Sequence, residues 1–106
     1  MVDNSTLLHN LKKHLQEGYH DPIQDVILFG SQAKGTSDEN SDYDILIVLG
    51  NDYTIRDENT IYDLCYDMDL KYNIIIDAHL ITTRDLCSIR GKQPIITTAL
   101  KTGIYA

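Results

Sequence analysis

Leu7, Leu8, Leu11 and Leu15 recur at the three- and four-residue spacing of one helix face. Asn4 or Ser5 stands where an N-cap belongs and Gly18 where a helix stops, so a first helix is expected to run to about residue 18. Asp21-Pro22 marks a loop. The short apolar run 25–29 then reads as a first central strand, and 31–34 as the start of a short helix. Residues 35–41 are polar throughout, and the β-branched stretch 43–49 is a second strand ending at Gly50-Asn51. Ile61, Leu64, Cys65, Met68 and Tyr72 return to helical spacing and predict an amphipathic helix over about 56–72. A third strand is expected over 73–81, a short helix over 83–89 capped by Thr82 or Thr83, and a last helix over 94–101 with Gly103 as its stop. No repeat, low-complexity tract or linker interrupts this alternation, which predicts a single α/β (α+β) domain, residues 1–106, built on one small sheet.

Composition narrows the function. The 106 residues are 42% apolar, close to globular norms. No apolar stretch has the length of a membrane span, and the polar start is no secretory signal, so a cytoplasmic protein is expected. Cys65 and Cys87 follow no metal-ligand spacing and read as half-buried thiols suited to a reducing compartment. The formal net charge is −7, with nine Lys and Arg residues scattered among sixteen Asp and Glu. A grip on long nucleic acid needs a basic stripe, and none exists here. A small nucleotide carried with magnesium, or a protein acceptor, suits this charge better.

The chemistry concentrates at two places. Phe29-Gly30-Ser31 ends a strand in a tight turn, and ten residues separate Ser31 from Asp42-Tyr43-Asp44. Residues two apart on a strand share a face, so Asp42 and Asp44 aim at one spot. Two such charges repel unless a cation sits between them, and magnesium, which takes hard oxygen ligands and keeps room for triphosphate, is the natural one. A calcium loop is excluded, because Tyr43 stands where its glycine belongs and Leu49 where its closing glutamate belongs. Asp77 interrupts the apolar run 74–81 and needs a partner or a metal. Alternation puts it on one face with Asn73, Ile75, His79 and Ile81. On its own, His79 reads first as a satisfied core or edge residue, with orientation of Asp77 or contact with the nucleotide as the alternative. Gly30 lets the backbone approach a phosphate without a Cβ in the way, and Ser31 can donate to that phosphate while capping the helix.

The run Ile27-Leu-Phe-Gly-Ser-Gln-Ala-Lys-Gly followed by Ser41-Asp-Tyr-Asp-Ile-Leu-Ile-Val resembles the signature of the polymerase-β-like nucleotidyltransferases, in particular the minimal nucleotidyltransferase proteins. The resemblance covers nearly the whole chain. It implies a mixed sheet with helices packed largely on one side, and a third carboxylate on the strand after the Asp-x-Asp pair, which Asp77 matches. Many members carry Arg directly after the Gly-Ser pair, where this chain has Gln32, while Lys34 matches a second basic position near the triphosphate. Catalysis is then assigned to Asp42, Asp44 and Asp77, which hold two magnesium ions (or manganese), and nucleotide binding to Gly30, Ser31 and Lys34. Similar proteins are paired with a helical HEPN toxin and act as its antitoxin, which makes AMP transfer from ATP to a hydroxyl of that partner the expected reaction. A non-catalytic module that neutralises a partner by contact, and a homodimeric transferase acting on small molecules, remain as alternatives.

Overall fold

The computed structural model describes residues 3–35, 42–88 and 90–106. Four strands form one mixed sheet in the order β3-β2-β1-β4. They are β1 (Ile23–Phe29), β2 (Tyr43–Leu49), β3 (Ile76–Thr82) and β4 (Ile104–Tyr105). β1 runs antiparallel to β2 and to β4, whereas β2 and β3 are parallel. A parallel neighbour needs a crossover, and α3 (Ile55–Tyr72) supplies it. The other helices are α1 (Asn4–Gly18), α2 (Gly30–Lys34) and α4 (Pro94–Thr102).

Local chemistry fixes the ends of these elements. Asp3, not Asn4 or Ser5, caps α1, since one carboxylate oxygen accepts from the Thr6 N–H at 2.8 Å and the other from its hydroxyl at 2.9 Å. Thr54 and Asp57 form a reciprocal capping box at the start of α3. α3 ends at Asn73, which takes the left-handed conformation (φ 55), while Ile74 N–H reaches back to the Asp69 carbonyl. This closure moves the start of β3 from the expected residue 73 to Ile76. The Asp69 carboxylate then accepts the Ile76 N–H at 2.9 Å and pins the strand's first residue. Thr82 accepts from Asp85 N–H as a cap should, although it opens a single 3-10 turn, Asp85–Cys87, in place of the expected helix. The polar stretch 36–41 lies outside the described residues.

Both faces of β2 are covered, and every residue from Ile45 to Leu49 is fully buried. On one face Ile45, Ile47 and Leu49 pack with Leu8, Leu11 and Leu15 of α1 and with Ile61, Cys65 and Met68 of α3. On the other, Leu46 and Val48 join Ile27, Phe29 and Ile81 beneath Ile96 and Ala99 of α4. Cys65 is buried and its thiol is pushed up to about 12 by that burial, whereas Cys87 is exposed, so neither is the half-buried thiol expected. Gly18 is the last residue of α1, and Leu64 of α3 occupies the space a Cβ there would need. Truncation at the centre of β2 tests this two-faced core. Ile47→Ala should cost about 2–5 kcal/mol, a large share of the roughly 5–15 kcal/mol a domain has. Denaturant titration would read it, and a loss below about 1 kcal/mol would contradict close packing on this strand.

Candidate functional site

The face of β2 that carries Leu46 and Val48 continues to Asp44, and the face of β3 that carries Ile81 continues to His79 and Asp77. The register then sets the site. Asp44 stands beside Asp77 across the parallel ladder and beside Phe29 across the antiparallel one. Ligand atoms of Asp44, Asp77 and His79 all lie within 4.8 Å of one another. Asp44 is half-buried, and that burial, together with the Asp77 charge, holds its carboxyl above the ordinary carboxylate range. Protonation of Asp44 would relieve this crowding of like charge. A divalent cation replaces that proton naturally, and this donor set fits one.

Asp42 sits one residue ahead of β2 with an exposed side chain. Its charge is felt at Asp44 and at Asp69, but its carboxylate is not among the three ligand groups that converge. His79 takes the third place. Alternation along β3 puts it on Asp77's face, and the register with β2 supplies the reason to promote it.

Gly30 adopts φ +75, a conformation that side chains rarely take, and a Cβ there would stand 2.5 Å from the Asp44 carboxylate. The missing side chain therefore leaves room for the acid. Phe29, extended, holds the cap position of α2 without a side-chain bond, so Ser31 lies inside the helix and does not cap it. Gly35 closes α2 in the left-handed conformation. Lys34 is exposed in the last turn, on the same short helix as Gly30 and Ser31. The backbone carbonyl of Gln32 accepts from Asn4 at 3.3 Å, which ties α2 to the start of α1.

The nucleotidyltransferase domain model matches residues 8–105, and the chain is a member of that family. Among curated relatives, "Putative protein adenylyltransferase MJ0141" of Methanocaldococcus jannaschii is 36% identical over 66% of this chain and 71% of its own length. MJ1305 of the same organism, which bears the same description, is 32% identical over 90% of this chain and 67% of its own. MJ0604, also so described, is 42% identical, and this chain spans only 59% of it. A crystal structure of a toxin–antitoxin with AMP-PNP shares the fold at a TM-score of 0.62 and 20% identity, over 96% of this chain and 71% of that one. A mutant of the toxin–antitoxin MntA-HpeT does so at 0.61 and 17%, over 99% and 72%.

The site makes two outcomes testable. Because the native Asp44 pKa is raised, the ionised form is the costly one, and that cost grows as pH rises through the native pKa. Metal-free Asp44→Asn should therefore be more stable than wild type at pH 7 and melt at a higher temperature. The advantage should vanish in acid, where Asp44 is neutral in both states. Thermal scans across pH would show it, and an unchanged or lower melting point at pH 7 would refute the repulsion.

The second outcome concerns Gly30→Ala. A left-handed non-glycine residue costs about 1–2 kcal/mol, and the new methyl group must displace the Asp44 carboxylate. Calorimetric titration with Mg2+ should show weaker metal binding as well as lower stability. Unaltered metal affinity would separate Gly30 from the acid.

Proposed function

We propose that this chain is a minimal nucleotidyltransferase domain of the adenylyl-transferring type, which moves AMP from ATP to a hydroxyl of a partner protein. The observation that carries the reading is the side-by-side register of Asp44 and Asp77, with Gly30 opening the space beside Asp44. Asp44 and Asp77, joined by Asp42 from the edge of β2, would hold the divalent ions, magnesium or manganese, that the family generally uses. When bound, such an ion screens the triphosphate and lowers the pKa of the attacking hydroxyl.

The rest is the work of the chain's own groups. Gly30 and Ser31 would receive the triphosphate end, with Lys34 adding positive charge nearby. Asp77, whose side chain is 54% exposed, faces the solvent from which an acceptor arrives. Its carboxylate would take the proton as the acceptor oxygen bonds to the α-phosphorus and the bond to the departing pyrophosphate breaks.

A protein acceptor is supported by the charge of −7, by relatives described as protein adenylyltransferases and by toxin–antitoxin structures among the fold neighbours. The partner we infer is a HEPN-type toxin in the same cytoplasm, with this chain as the antitoxin. No helix among the described residues is long and apolar enough to cross a membrane.

Incubation with the toxin, ATP and Mg2+ should raise the toxin's mass by whole AMP units. Asp77→Asn should abolish transfer while retaining much of the ATP binding. Equal protection by wild type and by a triple Asp42/Asp44/Asp77→Asn variant, without a mass change on the toxin, would overturn catalysis in favour of neutralisation by contact.

A further inference from the structure

The nitrogen beside the two carboxylates has no role in that scheme. His79 lies two residues beyond Asp77 on the same face of β3, and its ring leans on Phe29, which reaches over β2, with centroids 5.5 Å apart and planes inclined at 55°. The His79 side chain is 30% exposed, yet its Nε2 atom is sealed from water and makes no hydrogen bond. It stands 3.4 Å from the Asp77 carboxylate, too poorly directed to count as bonded. A buried polar atom without a hydrogen bond calls for a reason, and His79 is among the three residues whose ligand atoms converge within 4.8 Å. Two ligands bonded to one ion at about 2.1 Å stand roughly 3.0–4.2 Å apart. Small side-chain rotations would therefore bring all three onto a single cation.

We propose that His79 binds the metal directly through Nε2, so that Asp44, Asp77 and His79 form an oxygen, oxygen and nitrogen donor set. Magnesium prefers oxygen donors, whereas imidazole nitrogen favours first-row transition ions. The consequence is a metal preference displaced from Mg2+ toward Mn2+. The Phe29 ring packs against the imidazole. The proposal rests on the metal site described above and adds to it one ligand and a selectivity.

Mn2+ is the probe, because its pulsed EPR spectrum registers a directly bonded imidazole nitrogen. Wild-type protein loaded with Mn2+ should show nitrogen coupling, and His79→Gln should bind Mn2+ without it. In calorimetric titrations the preference for Mn2+ over Mg2+ should fall about tenfold in His79→Gln (about 1.4 kcal/mol). Circular dichroism of the variant guards against misfolding, and the wild-type spectrum is decisive without any variant. Bound Mn2+ lacking nitrogen coupling, or coupling that survives in His79→Gln, overturns the His79 assignment and leaves the carboxylate site standing. Failure of wild type to bind either ion overturns both.

Discussion

The structure depends on two like charges held next to each other at the head of a buried strand. Asp44 is paired with Asp77 by the parallel β2–β3 ladder, and every residue from Ile45 to Leu49 beyond Asp44 is locked between two apolar layers. A one-residue slip would turn Asp44 into the layer beneath α1 and α3 and would expose the opposite set of side chains. The core thus enforces a register that electrostatics alone would reject. The native fold holds an arrangement in which burial and like charge both oppose ionisation of Asp44.

The anchoring of β3 serves the same end. Asn73 stops α3 by turning left-handed, Asp69 catches the Ile76 N–H, and Tyr43 N–H bonds the Ile75 carbonyl at 2.8 Å. These contacts fix where β3 begins relative to β2, and so which residue faces Asp44. Asp69 is itself half-buried, and that burial raises its carboxyl pKa. The strand's first residue is therefore tied down at some electrostatic cost.

Much of this is legible along the chain. The bounds of β2 emerge directly from its β-branched run, because a strand buried on both sides has a continuous apolar sequence. Asp77 stands out for the converse reason, as a charge inside such a run. The differences have separate causes. Asp3 displaces Asn4 and Ser5 as the cap because a bond to the Thr6 hydroxyl reinforces the one to its N–H. β1 begins two residues earlier than its apolar core, through a register shift between Ile23 and Asp25 that only its partner strand defines. The two residues of β4 exist through pairing with Ile27 and Leu28, which no local pattern encodes. His79 stays ambiguous in the sequence because a histidine's meaning depends on what lies across the sheet.

Gly30 shows how closely the two halves of the motif are joined. Ten residues separate the Gly-Ser pair from Asp42, and a local reading treats them as a phosphate cradle and a metal holder. In the fold, the antiparallel pairing of Phe29 with Asp44 brings the turn against the acid. The space left by the absent Cβ is then the space in which the Asp44 carboxylate stands. A side chain at residue 30 cannot disturb the phosphate side alone. The glycine and the aspartate form one constraint, imposed by strand pairing.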